Sequence, residues 1–433
     1  MKPRQRRVGR GARGAALVVL GLGAAALGAG GCSKDESACE GAACGVGTGG
    51  GGGAGLDCPA SGVLHGPWAL RFDATSAVVR WDACRPSSAG LVVTPEEGSG
   101  GSLSFDGVQT PSEVLTSYTV IASVPPDLPG TYYLTEVAVT GLEPSRCYHY
   151  ALDADATRTG RFCTARPSGA SYDFYAVGDT NPALGNTDTL YAETLTPAPD
   201  FALHLGDIQY YASVFESYTV WFPLIQPLLS AGAFMPVVGN HELELPHEYE
   251  DYYERLWGGA GFDGALDHFR FQSGGVWFVG VNSEQEFGAG SPQGAWLEAQ
   301  LADAFAQVGH RLTVVYFHRP LMTIADVSQN VTTRDFVRPL FAQYGVKLVL
   351  AGHVHGYERF VDGDLTYVTS GGGGAALHDL DVHLADRPME AALRQAAVKD
   401  FHALRLHVGA SSLDVEAVGN SGTVLDTFSI ALP

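Results

Sequence analysis

Apolar runs closed by glycine or a polar residue recur along the second half of the chain. Asp173 to Val177, Asp200 to Leu205, Phe234 to Val238, Thr313 to Phe317 and Val346 to Ala351 are rich in β-branched and aromatic residues. They end at Gly178-Asp179, Gly206-Asp207, Gly239-Asn240-His241-Glu242, His318 and Gly352-His353-Val354-His355. Such runs read as buried strands whose carboxyl ends open into loops, the edge where open α/β sheets hold ligands. Between them, Thr187 to Thr196 predicts a short helix stopped by Pro197 and Pro199. Ser291-Pro292 caps a longer one carrying Leu297, Leu301 and Phe305 at four-residue spacing. Phe401 to Val408, Leu413 to Val418 and Val424 to Ile430 alternate as strands, which predicts either a second sheet or an antiparallel extension of the first.

The pattern upstream is different. From Pro59 to Pro167 the chain reads as short strands between turn signals: Ala77 to Trp81, Leu91 to Thr94, Tyr118 to Ile121, Tyr132 to Thr140, Cys147 to Leu152 and Gly160 to Thr164. This predicts an all-β sandwich. Gly141-Leu142-Glu143-Pro144 followed by Tyr148 resembles the tyrosine corner of fibronectin type III domains. With Tyr148, Tyr150 and Leu152 facing inward, alternation turns Cys147 to the other face, which makes a cross-strand disulfide to Cys163 the first pairing to consider and leaves the other pairings open.

Residues 1–31 are excluded from the core. Lys2, Arg4, Arg6, Arg7, Arg10 and Arg13 precede the apolar, Gly- and Ala-diluted stretch Ala15 to Leu27, the layout of a signal peptide rather than a membrane span. Ala29-Gly30-Gly31-Cys32 resembles a bacterial lipoprotein cleavage site, with Cys32 as the lipid-modified residue; ordinary cleavage, leaving Cys32 a spare thiol, is the other reading. The remaining six cysteines all lie by position 163, as expected for disulfides in an exported chain. Residues 32–58 form a Gly-rich segment that cannot bury a core and reads as a flexible tether. A formal net charge of −21, despite the basic leader, argues against nucleic-acid binding. The expected contact with a membrane is only through a lipid anchor at Cys32, should that residue be the modified one. The expected organisation is a signal peptide (1–31), a tether (32–58), a β-sandwich (59–167) and an α/β body (171–433).

A lone Gly-Asp pair is usually a surface turn, and a lone strand-end histidine is usually core. Two aspartates, a tyrosine, an asparagine and three histidines at successive strand ends are another matter, because βα units gather them on one rim. The donor types suggest two unlike metal ions. Asp179, Asp207, Tyr210 and His355 offer a hard anionic shell suited to ferric iron; Asp207, Asn240, His318 and His353 offer a more neutral shell suited to a divalent ion. Asp207 bridges them. Such a centre keeps a net charge of about plus one after its ligands and a bridging hydroxide are counted, enough to attract phosphate.

The order GD, GDxxY, GNHE, VxxH and GHxH, carried by Gly178-Asp179, Gly206-Asp207 with Tyr210, Gly239 to Glu242, Val315 with His318 and Gly352 to His355, resembles the purple acid phosphatases of the calcineurin-like metallophosphoesterases. The resemblance covers the chain from about Pro59 onward. It implies a metallophosphoesterase sandwich behind the all-β domain, and Fe(III) paired with a divalent ion (Fe, Zn or Mn). The implied activity is hydrolysis of small phosphate monoesters by a metal-bound hydroxide, with no covalent phosphoenzyme. His241, next to Asn240, is the candidate acid and substrate contact, with Glu242 orienting it; Arg319 is the candidate phosphate contact. Two departures stand out: Thr180-Asn181 where the family has a second glycine after Asp179, and no histidine from Arg319 to Asn330 where plant members carry some. A Mn- or Zn-dependent phosphodiesterase or nucleotide hydrolase of the same superfamily, and a non-catalytic surface lipoprotein, are the competing readings.

Overall fold

The structure, a computed structural model, describes residues 58–433 apart from 99, 116–129, 182–189, 192–194, 209, 211–217 and 262–264. The expected signal peptide, Cys32, nearly all of the tether, the strand at 118–121 and most of the helix at 187–196 lie outside the described residues. Two sheets face each other at the centre. The first runs, in order, Val424–Ala431, Ser412–Gly419, His402–Val408, Tyr172–Val177, Phe201–His204, Ala233–Pro236, Val63–Leu70, Ala77–Ala83, Gly130–Val139 and Val108–Val114. The second runs Phe269–Ser273, Val276–Gly280, Leu312–Phe317, Val346–Ala351, Leu365–Ser370, Tyr357–Asp362 and Arg394–Val398. Parallel pairing joins the middle strands of both sheets, while the three C-terminal strands extend the first sheet antiparallel, one of the two expected arrangements.

The alternation read from the sequence decides which side chains meet. Phe174, Ala176, Phe201 and Leu203 pack with Phe278, Val314, Tyr316 and Leu350 in the core between the sheets. Tyr175, Val177, Ala202 and Phe234 face the other way, onto Trp221, Phe222 and Ile225 of the helix Tyr218–Ala231. Val315, Phe317 and Val349 meet Leu297, Leu301, Val337 and Phe341 of the helices Pro292–Ala306 and Val331–Gln343. Each fully buried Val, Leu, Ile or Phe side chain among them contributes roughly 1.5–3 kcal/mol. Pro223 and Pro227, which read as breakers, hide the helix Tyr218–Ala231 from the sequence. Ser291 caps its helix as expected, accepting from the Gly294 N–H, but the buried stripe continues to Ala304 and leaves Phe305 half exposed.

The stretches 59–167 and 171–433 share one sheet and one core. A four-stranded sheet, in the order Leu103–Asp106, Gly90–Pro95, Cys147–Leu152 and Thr159–Cys163, packs Leu91, Val93, Tyr148, Tyr150 and Phe162 against Val79, Trp81 and Val137 of the large sheet. The Tyr148 hydroxyl accepts from the Glu143 N–H at 2.9 Å. Cys147 pairs in register with Cys163 and is disulfide-bonded to it; a second disulfide joins Cys58 to Cys84. Across the expected boundary, Ala69 pairs with Ala233. Arg255, from the π-helix Tyr249–Trp257, holds the buried Asp82 at 2.7 Å, and the Arg80 guanidinium donates to the Leu256 and Gly258 carbonyls. Burial opposes the Asp82 charge, but Arg255 outweighs it and lowers the carboxyl to about 2. Removing one partner of such a buried pair strands the other charge, at about 3–5 kcal/mol. The described residues accordingly fall within one compact unit, 53–433. Among them, no helix is long and apolar enough to cross a membrane.

Candidate metal centre

The carboxyl ends of the two central sheets meet. The Gly178 N–H donates to the Ser370 carbonyl across them, and the Gly352 N–H donates to that of His318. Three residues on this edge have left-handed backbone without being glycine: Asp179 at φ 60°, Asp207 at φ 51° and His353 at φ 68°. Such conformations cost about 1–3 kcal/mol each and persist where the surroundings over-determine them. They turn these side chains off the strand ends toward one another. Glycine is required beside them: a Cβ on Gly239 would sit 2.2 Å from Asp207 Oδ1, and one on Gly352 would sit 2.7 Å from Asp179 Oδ2.

All seven donor residues expected from the sequence come together here. The Tyr210 hydroxyl lies 3.1 Å from Asp179 Oδ1 and 3.1 Å from His355 Nε2. His318 Nε2 lies 3.2 Å from Asp207 Oδ2, 3.2 Å from Asn240 Oδ1 and 3.2 Å from His353 Nδ1. Asp207 belongs to two groups whose ligand atoms all lie within 4.8 Å of one another, Asp179–Asp207–His355 and Asp207–His318–His353. The outer nitrogens of two histidines are anchored. His318 Nδ1 donates to the Leu205 carbonyl at 2.9 Å and His355 Nδ1 to that of Ala376 at 2.7 Å, so both present Nε2 inward.

The electrostatics ask for cations. Asp179 and Asp207 are buried carboxylates, 0% and 1% exposed. Burial opposes a charge on His318, but the Asp207 and Asp179 carboxylates overwhelm that cost and push it up to about 10. Burial and the same two carboxylates push the Tyr210 phenol far above its ordinary value, so only a strongly positive neighbour could ionise it. The pull that holds a proton on His318 is the pull a metal ion would feel, and the donor set of carboxylates, phenol, amide and imidazoles fits two ions.

His241 and Arg319 stand at the edge of this cluster. The His241 backbone N–H donates to Asp207 Oδ1 at 2.9 Å, its ring packs on Tyr210, and its Nε2 is 3.8 Å from Asp207 Oδ2. Glu242 does not orient it, contrary to expectation. Both Glu242 oxygens are taken by the N–H groups of Asp207, Ile208 and Gly239, tying two ligand loops together, and it is Glu244 that lies 2.8 Å from His241 Nδ1. Arg319 Nη1 is 3.0 Å from His353 Nε2.

Sequence reasoning assigned no role to three further residues. His378 stacks on His355 with ring centroids 4.1 Å apart; its nearness to the glycine run at 371–374 was the only signal. Thr180, one of the two departures, donates to the Ile208 carbonyl, accepts from Trp221 Nε1 and contacts the buried His204, so the loop is held without a glycine. Glu284 holds Arg319, and the apolar run Val276 to Gly280 that precedes Asn282-Ser283-Glu284 could have revealed it as one more strand end. His204 is a core residue, and burial lowers it to about 3.

Residues 172–357 match the family model of the calcineurin-like phosphoesterases, and the fold is that of the calcineurin-like metallophosphoesterases. The chain is similar to several purple acid phosphatases. It is 28% identical over 261 residues to purple acid phosphatase 15 of Arabidopsis thaliana, covering 52% of this chain and 48% of that protein. It is 27% identical over 298 residues to purple acid phosphatase 23 of the same plant, covering 58% and 64%. An uncharacterized protein of Mycobacterium tuberculosis is 30% identical over 272 residues, with 52% and 51% covered. The chain thus spans about half to two thirds of the length of these relatives. Among solved structures, the yellow lupin (Lupinus luteus) seed purple acid phosphatase matches with a TM-score of 0.64 at 18% identity, covering 84% of this chain and 74% of that one. PhoD matches with a TM-score of 0.59 at 12% identity, covering 86% and 90%. Both share the fold.

Proposed function

We propose that this protein is an exported acid phosphatase that hydrolyses small phosphate monoesters at a two-ion centre. The observation that carries the reading is the Asp207 carboxylate, common to both donor groups. Asp179, Asp207, Tyr210 and His355 would hold a ferric ion, and Asp207, Asn240, His318 and His353 a divalent one. When bound, the ions supply positive charge for the phosphoryl oxygens and water acidic enough to yield hydroxide below neutral pH. The protein's own residues do the rest. Leu205 and Ala376 hold the His318 and His355 rings in register, and Glu242 fixes the Asp207 and Asn240 loops against each other. Arg319 binds a phosphoryl oxygen through its guanidinium fork. His241 carries a proton on Nε2 to the leaving oxygen, with Glu244 beside Nδ1 steadying the ring. The sandwich at 59–167, with its tyrosine corner, is read as a fibronectin type III-like support, and its two disulfides fit an oxidising compartment.

Hydrolysis of an aryl phosphate against its bis-aryl counterpart tests this reading. The monoester is expected to be the better substrate at acidic pH. Preferential cleavage of the diester would favour a divalent-metal phosphodiesterase on the same fold.

A further inference from the structure

Arg319 is held unusually well for a residue with 38% of its side chain exposed. Its backbone N–H donates to Ser283 Oγ at 2.9 Å, and its Nε lies 2.9 Å from each oxygen of Glu284, whose side chain is only 8% exposed. The loop beneath is rigid. The Glu284 N–H donates to Asn282 Oδ1, Asn282 Nδ2 donates to Asp267, and Asn282 and Gln293 exchange two hydrogen bonds, all between 2.8 and 2.9 Å. With Nε fixed, Nη1 reaches the His353 ring, and among the described residues Nη2 has no partner. The guanidinium fork is therefore aimed at the ligand cluster by a carboxylate that also cancels its charge. It can add directed donors to that cluster but little net attraction.

We propose that the Glu284–Arg319 pair selects monoesters over diesters by reading a third non-ester oxygen, with Arg319 as the contact and Glu284 as its positioning residue. This inference rests on the phosphatase reading above. A monoester carries three non-ester oxygens and a diester two. With two of them held by the ions, only the monoester would have one left for Arg319. A site built to hydrogen-bond a group discriminates against an analogue lacking it, because its own donors are left unpaired.

The test compares wild type, Glu284→Gln, Arg319→Ala and the double variant, each metal-loaded, with phenyl phosphate and bis-aryl phosphate as substrates. Binding of inorganic phosphate is measured in parallel by calorimetry. Glu284→Gln keeps the shape of the side chain but loosens the fork. The uncovered Arg319 charge attracts either ester, whereas the loosened donors serve only the monoester, so the monoester-to-diester ratio of kcat/KM should fall by about tenfold, within the range for one charge-assisted hydrogen bond. Arg319→Ala should lower that ratio further and weaken the binding of inorganic phosphate. Adding Glu284→Gln to it should then change nothing further, since a residue acting through another gives a non-additive cycle. Equal losses on monoester and diester, or a further loss in the Arg319→Ala background, would overturn the inference while leaving the phosphatase reading intact. A wild type that binds no phosphate and cleaves neither ester removes that reading, and this inference with it.

Discussion

Asp207→Asn is expected to empty both metal sites and lower monoester turnover by more than about 10³-fold, beyond the cost of losing a single electrostatic donor. The substitution is close to a pure charge deletion. Asparagine has the same shape, and it is among the few residues at ease with the positive φ of 51° found here, so the loop should survive. Its side-chain oxygen can still accept the His241 N–H, and the Asp207 carbonyl keeps its bond from the Thr180 N–H. What disappears is the one negative charge common to both donor groups. Elemental analysis alongside a thermal melt checks this: both ions absent with the melt preserved is the expected pair of results. One ion retained at full occupancy would show that Asp207 serves a single site.

His241→Ala should keep both ions and slow turnover, and the slowing should depend on the leaving group. The group that touches Asp207 most closely at this position is the backbone N–H, which alanine retains, while the ring approaches no nearer than 3.8 Å by Nε2. Loss of a general acid matters most when the leaving alcohol is basic. Alkyl phosphates should therefore suffer the ~10²- to 10⁴-fold penalty typical of lost acid catalysis, and aryl phosphates far less. Rates for a paired alkyl and aryl series decide it, and equal losses would remove His241 from that role.

How much of this was legible in the sequence depended on whether the informative contact was local. Strand ends are local. An apolar run closed by Gly-Asp or Gly-His says both that the strand is buried and that a donor follows it, so Asp179, Asp207, Asn240, His318, His353 and His355 could be found one at a time and placed on one rim by topology. The Cys147–Cys163 bridge was legible for the same reason, since simple alternation puts both residues on one face of adjacent strands. Contacts that depend on distant packing were not. Glu242 and Glu244 are two residues apart, and nothing in the spacing says which faces the ligand loops and which faces His241; the short 3₁₀ turn Asn240–Leu243 decides it. Glu284 and Arg319 meet only because parallel strands bring the ends at 280 and 317 side by side. The boundary near 167–171, clear as a change of pattern, does not divide the core, because the strand Val63–Leu70 completes the large sheet beside Ala233–Pro236.

Under the proposed function a ferric ion and a divalent ion would share Asp207, with Tyr210 as the phenolate on the ferric side. The most direct test is the metal content and visible spectrum of aerobically purified wild type beside Tyr210→Phe. The phenol is buried, 3.1 Å from both Asp179 and His355, and its proton is held tightly by burial and two carboxylates; bound to ferric iron it would lose that proton and give a visible charge-transfer band. Tyr210→Phe keeps the ring and removes only the oxygen, so the band should vanish while the fold remains. Two ions per chain, one of them iron, and coloured wild-type protein are expected. Active wild type that is colourless and free of iron would contradict this assignment.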